Sequence, residues 1–187
     1  MSSTTTAHSE IKAGFGRTLI VGAVAGVIGS LAMAMFAMIA AATYQHTGFF
    51  TPLYHIGSLL LDPSTMMASM QQGMAGSNFY FVFGPAVVGA LIHMMVGAMY
   101  GIVFAVIVRF AKLRGVSLLT AGMVYGAVVF AVSAWIGLPL AATIFSAGDP
   151  ITNMAAMVGY PTFLIEHVMF GAVTALTLLP FTRRRTA

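Results

Sequence analysis

The stretch FVFGPAVVGALIHMMVGAMYGIVFAVIVRFAKLR, residues 81–114, has no charge from Phe81 to Val108 and then meets Arg109, Lys112 and Arg114. An uncharged run of this kind is longer than the ~20 apolar residues needed to cross a hydrocarbon core. Basic residues at one end of such a run mark the side on which it stops. This stretch therefore reads as a membrane span with one anchored end, and the rest of the chain can be placed outward from it.

Three further runs have the same character. The spans fall at about 18–43, 81–108, 118–145 and 160–181. The first follows Lys12 and Arg17 and ends in AAATYQ, which raises the alternative of a cleaved leader. Its uncharged length is well beyond the 7–15 residues of a signal core, so a full span is the better reading. The last span stops at the triplet Arg183, Arg184, Arg185. Composition agrees: 59% of residues are hydrophobic, 6% are charged, and mean hydropathy is +0.96. A water-soluble surface is not made from such material. The expected fold is an all-α integral membrane bundle of four transmembrane helices.

All eight Lys and Arg residues fall in the segments 1–17, 109–117 and 182–187, and none in 44–80 or 146–159. By the positive-inside rule the basic side is cytoplasmic. The expectation is a multi-pass protein of the cell membrane, with a cytoplasmic N-terminal tail (1–17), a cytoplasmic basic tail (182–187) and both termini inside. One-sided charge also requires an even number of spans. The first outer loop has its own helix signal: Asp62 as cap, Pro63 at the first helical position, then STMMASMQQGM. A short interfacial helix is expected there. In the second, SAGDPITNMAAMVG, Asp149 and Pro150 mark a turn.

The chain shows internal similarity. GAVAG (22–26) resembles GMVYG (122–126), and GALIHMMVGA (89–98) aligns with FLIEHVMFGA (163–172), matching His93 to His167, Met95 to Met169 and Gly97 to Gly171. These matches predict two tandem helical-hairpin repeats related by an axis along the membrane normal, with spans two and four facing each other. Gly89, His93, Gly97 and Gly101 recur every fourth residue and form one stripe on span two. Gly22 and Gly26 on span one, Gly122 and Gly126 on span three and Gly171 on span four supply matching small-residue surfaces. Membrane helices approach at such surfaces. Both histidines should thus face the interior, roughly 9–12 Å in from Pro85 and Pro161. Gly137 and Pro139 should loosen the outer end of span three.

The His-bearing second span, the run MVYGAVVFAVSAWIGLPLA in the third and LIEHVMFGAVTALTLL in the fourth resemble a widespread family of small four-span prokaryotic membrane proteins. The resemblance covers about residues 85–180. It implies the four-span architecture and no activity.

Three readings of function follow from the residues. Glu166 is the one acidic residue inside a span, and an intramembrane carboxylate costs a few kcal/mol unless it is neutralised. With His93 and His167 it forms a candidate polar interior site, which suits a small transporter or proton-linked carrier. The same two histidines could instead ligate haem or copper between the helices. Weaker candidates for outside copper ligation are His46, His55, Met66, Met67, Met70 and Met74, because thioethers and imidazoles are soft ligands. A lipid-facing interfacial helix explains those methionines as well. The leading reading, to which the other two are alternatives, is a structural or accessory membrane subunit whose histidines bond carbonyls across interfaces. That reading has the bilayer, and a homo-oligomer or larger membrane complex, as its partners. The chain has no cysteine, which excludes disulfides, thiolate metal sites and thiol nucleophiles. No hydrolytic triad, phosphate loop, pair of catalytic carboxylates or nucleic-acid motif is present, so no motif points to catalysis and nucleic-acid binding is not expected.

Overall fold

The computed structural model describes the backbone of residues 3–182 and side chains from Gly14 onward. The basic triplet Arg183, Arg184, Arg185 and the side chain of Lys12 lie outside the described residues. Among these the chain is helical, with no strand: α1 (Ser3–Ala42), α2 (Thr51–Gly57), α3 (Ser64–Met74), α4 (Phe83–Ala111), α5 (Gly115–Val132), a π turn (Ser133–Gly137), α6 (Leu138–Phe145), α7 (Gly148–Thr152), α8 (Met154–Val158) and α9 (Tyr160–Thr182). Four segments are long and apolar enough to cross a membrane: Gly14–Ala42, Phe83–Ala111, Gly115–Phe145 and Tyr160–Thr182. The protein is an all-α four-helix bundle, with the two longer interhelical segments at one end. Arg17, Arg109, Lys112 and Arg114 gather around a cleft at the other. The helix containing span one starts at Ser3, so most of the expected tail 1–17 is continuous with it.

Glycine decides how the spans pack. A Cβ built on Gly26 would overlap the Gly97 carbonyl oxygen, and one on Gly101 would overlap that of Gly22. On the other pair, a Cβ on Gly126 would collide with the His167 carbonyl oxygen and one on Gly171 with that of Gly122. Backbones thus touch directly across α1–α4 and across α5–α9. Lipid tails are as apolar as the helices, so close approach and dispersion, rather than loss of water, hold such interfaces together.

The two interfaces are alike but one turn out of step with the alignment of the histidines. Gly22 meets Gly101 and Ala105 just as Gly122 meets Gly171 and Ala175; Gly26 meets Gly97 just as Gly126 meets His167. By backbone contact, therefore, His167 occupies the place of Gly97 and not that of His93.

Two expectations about neighbours change. α4 and α9 do not pack face to face, because α1 lies between them, touching α4 through Gly22 and Gly26 and α9 through Gly29. A Cβ on Gly29 would overlap the Thr174 hydroxyl oxygen and lie 3.0 Å from the Phe170 carbonyl oxygen. The stripe on α4 also divides between partners: Gly97 and Gly101 meet α1, whereas Gly89 meets the backbone of α2 at Leu53. On the remaining side, α4 and α5 scarcely touch.

The interhelical segments hold more helix than the sequence signals indicate. α3 starts at Ser64, with Asp62 accepting a 2.9 Å hydrogen bond from the Ser64 N–H ahead of it. Asp62 makes a local turn here in place of a cap. The Ser64 hydroxyl, and this N–H with it, hold the Asp62 carboxyl below its ordinary pKa. α3 has an inward face: Met66, Ser69 and Gly73 are buried, and Met66 packs with Tyr54 and Ala86. Tyr54 on α2 donates to the Tyr80 carbonyl at 2.9 Å and accepts from the Val82 N–H at 2.8 Å, pinning the entry to α4. At the far end of α5 the regular ladder gives way to the π turn. Pro139 has no N–H for the carbonyl of Trp135, and its ring would crowd that group, so a widened turn relieves both problems.

Candidate functional site

On the loop side of the glycine contacts the four spans part around a cavity of about 310 Å³. Its floor and walls come from α1, α4, the α5–π–α6 span and α9, and its roof from α2, α7 and α8. His93, Glu166 and His167, the candidate polar site of the sequence, all line it. So does His55, which its sequence neighbours place among loop ligands. The walls are otherwise mainly apolar, with Met33, Met154, Phe163 and Phe170 among them.

The polar groups are held in definite states. His93 Nε2 lies 2.9 Å from the Ser30 carbonyl oxygen on α1. A carbonyl only accepts, so this nitrogen carries the proton in the neutral ring and Nδ1 is left with a lone pair. His167 is the mirror case: Nδ1 lies 2.7 Å from the Phe163 carbonyl oxygen one turn back, which leaves Nε2 as the lone-pair nitrogen. Neither lone-pair nitrogen has a protein partner among the described residues. Phe163 packs on the His167 ring with centroids 4.4 Å apart, which fixes its plane. Glu166 is 4% exposed, and its Oε1 is sealed from solvent with no hydrogen-bond partner among the described residues. Buried polar atoms almost always have a partner, so this one is an exception that needs a cause.

Tyr100 and Ser133 line the side where α4 and α5 are apart, their hydroxyls 3.4 Å from one another. Below them the Tyr125 hydroxyl donates to the Tyr100 carbonyl at 2.8 Å, and Tyr125 stacks on Phe104 at 4.8 Å. Ser133 opens the π turn, and Gly137 at its end also lines the cavity. Sequence reasoning finds the looseness at Gly137 and Pro139 but misses Ser133 and Tyr100. The signal for Tyr100 is its place beside Gly101 on an interior stripe.

The roof is latched by polar contacts. His55 Nε2 donates to the Pro150 carbonyl at 2.7 Å, joining α2 to α7. Burial holds the His55 ring below its ordinary pKa, against the opposing pull of that hydrogen bond. The Gln45 amide donates to the Val158 carbonyl at 2.8 Å, and the Tyr44 and Thr162 hydroxyls pair at 3.0 Å.

The candidate loop ligands are spread over different surroundings: His46 is exposed, Met66 and Met70 pack in one cluster with Tyr54, Met67 and Met74 are 54% and 68% exposed, and His55 lines the cavity. Among the described residues no three His or acidic side chains come together in a way that could hold a metal ion. Haem ligation by both histidines would need His93 to give up its bond to Ser30 or to use Nδ1.

No family model, curated protein or solved structure matches the chain.

Proposed function

We propose that this protein is a small membrane carrier that binds a solute in the cavity and couples it to a proton at Glu166. One observation supports this reading above the others: a carboxyl group without a partner among the described residues, buried in the wall of a mainly apolar cavity. An isolated carboxylate in such surroundings is stable only when neutralised, by a proton or by a cation. A group able to exchange the two is what proton-linked carriage requires. A structural subunit gains nothing from a buried orphan carboxyl or from a cavity, both of which lower stability. With the basic end in the cytoplasm, as the one-sided Lys and Arg distribution favours, the roof of α2, α7 and α8 lies outside and the cavity sits in the outer half of the bilayer.

The close glycine contacts favour a second reading, an accessory subunit that contributes a rigid scaffold. One experiment separates the two. The purified protein is reconstituted in vesicles holding a pH-sensitive dye, and small organic cations, anions and neutral solutes are added outside. The carrier reading expects at least one class of solute to move protons in the wild type and in no Glu166→Gln sample, while the variant keeps its melting temperature. Identical traces for the two proteins with every class would leave the scaffold.

A further inference from the structure

The geometry points to the class of solute: a small lipophilic amine, bound as its ammonium ion with the charge at Glu166 and the hydrocarbon part against the apolar walls. This rests on the carrier reading above and names its substrate chemistry.

The argument begins with what the site has to offer. His93 commits its N–H to the Ser30 carbonyl and His167 commits its own to the Phe163 carbonyl. Each neutral ring then has only a lone pair left. Glu166, ionised, is likewise an acceptor, and its Oε1 has no protein donor among the described residues. The three groups that sequence and structure bring to this cavity therefore share one polarity. Lys and Arg, the residues that would answer an anionic solute, are absent from the lining among the described residues. The hydroxyls of Tyr100 and Ser133 pair at 3.4 Å, one donating to the other, and the O–H left over is a neutral donor with no charge to balance an anion.

A carboxylate ligand would bring a charge that neutral Glu166 and neutral imidazoles do not balance, with no Lys or Arg in the described lining to answer it. A neutral alcohol would pair with the protonated acid and displace no proton. A primary ammonium supplies three N–H donors and the compensating charge together. A bare metal ion needs ligands converging on a point, and among the described residues these side chains do not converge. Separate acceptors on an apolar wall instead suit an organic cation with a body to bury. Phe163 and Phe170 add aromatic faces to that wall, and cations are attracted to such faces.

The exchange balances in charge and in atoms. With no solute, Glu166 holds a proton as the neutral acid. An entering ammonium ion keeps its own protons and displaces that one, so one proton leaves for each amine bound and the cavity stays neutral overall.

The test uses the full chain in detergent with three probes of matched shape: 2-phenylethylamine, 2-phenylethanol and 3-phenylpropionate. Binding is followed by calorimetry and by the shift in melting temperature, and proton release by a pH dye in weakly buffered solution. The amine should bind best and release about one proton per site, and Glu166→Gln should weaken it about tenfold or more and abolish the release. Because Gln has nearly the shape of Glu, the variant should fold; an unshifted melting temperature without ligand checks this. Equal or tighter binding of the alcohol or the acid would overturn the amine assignment and leave a solute-binding cavity. Failure of the amine to bind or to release a proton would overturn the amine assignment, and the vesicle assay with the other solute classes then decides the carrier reading separately.

Discussion

The bundle is built differently at its two ends. From Gly97 and Gly126 toward the basic end, the spans meet backbone to backbone, and Ala25, Phe104, Ala105, Leu118, Ala175 and Leu178 fill the remaining space. Toward the loop end the same helices diverge around about 310 Å³ of space and need three short helices to roof it. Small residues occur in both halves, so composition alone does not make the difference. What changes is the partner: a glycine admits the neighbouring backbone and Ser30 still packs against Gly97, whereas Ala34 and Ala37, further along α1, line the open space. A tight half can hold the angles of the helices while the open half is left with a cavity that packing does not collapse.

The strongest way to break this contrast is to add volume in each half. Gly126→Leu and Gly26→Leu place a side chain where a carbonyl oxygen of the neighbouring helix already crowds the Cβ position. The α5–α9 and α1–α4 contacts then cannot form, at a cost of about 3 kcal/mol or more. Loss of monodisperse protein on size exclusion and a fall in melting temperature are the expected results. Ala141→Leu, which projects into the cavity lining, should leave folding intact or raise the melting temperature, since filling a void restores contacts. If Ala141→Leu were as damaging as Gly126→Leu, the two halves would not differ in packing.

A second comparison removes the orphan charge in place of adding volume. Glu166→Met has about the same length and no polar atom to leave unpaired. At neutral pH it should stabilise the fold by about 1–3 kcal/mol, the usual cost of an unsatisfied buried group. The gain should be seen in detergent melting curves and should come with loss of any solute-dependent proton movement. No change in stability would mean that the carboxyl is already satisfied.

Much of this contrast is legible in the sequence, and the part that is not has identifiable causes. Uncharged runs and one-sided basic residues give the spans directly, because length and charge are properties of the chain itself. Gly22, Gly26, Gly97 and Gly101 can be read as contact glycines from their spacing. That spacing does not say which helix each will meet, and Gly89 faces α2. Gly29 lies off the four-residue rhythm, so nothing in the pattern marks it, yet it brings α1 against α9 and so keeps α4 and α9 apart. Small-residue stripes send His93 and His167 to the interior, but aligning the two hides the one-turn offset between the interfaces. His55 reads as a loop residue because nothing local shows that Pro150, far away in sequence, will accept its N–H.

The roof gives a smaller, pH-dependent effect. His55 is neutral in the closed state, where burial holds its pKa below the ordinary value. A basic group with a depressed pKa binds fewer protons when closed than when released, so closure weakens as pH falls below the ordinary value of about 6.5 and the effect ends at the closed-state pKa. Glu166, His93 and His167 line the same cavity, so the comparison must be made against His55→Gln, which keeps a donor for Pro150 but does not titrate. Hydrogen exchange in 51–57 and 148–158, corrected for intrinsic rates, should rise between about pH 7.5 and pH 5.5 in the wild type and stay flat in the variant. An equal rise in both would assign the opening to other groups.

The smallest expected effect concerns the π turn, which positions cavity residues at little thermodynamic cost. If the turn exists because Pro139 cannot donate to Trp135, then Pro139→Ala lets the regular ladder resume. The extra residue of the π turn would then be absorbed, and everything beyond it would rotate by about 100° relative to α5. Ala141 would leave the cavity wall although the overall stability changes by less than about 1 kcal/mol. Because the chain has no cysteine, Ala141→Cys gives a single reporter. Its labelling by a small water-soluble maleimide should differ according to whether Pro139→Ala is also present, whereas a Thr18→Cys reporter at the basic end should not distinguish the two backgrounds. Unchanged labelling at 141 would show that packing against α7 holds the π turn in place, since α6 and α7 are in contact, and that the proline only accompanies it.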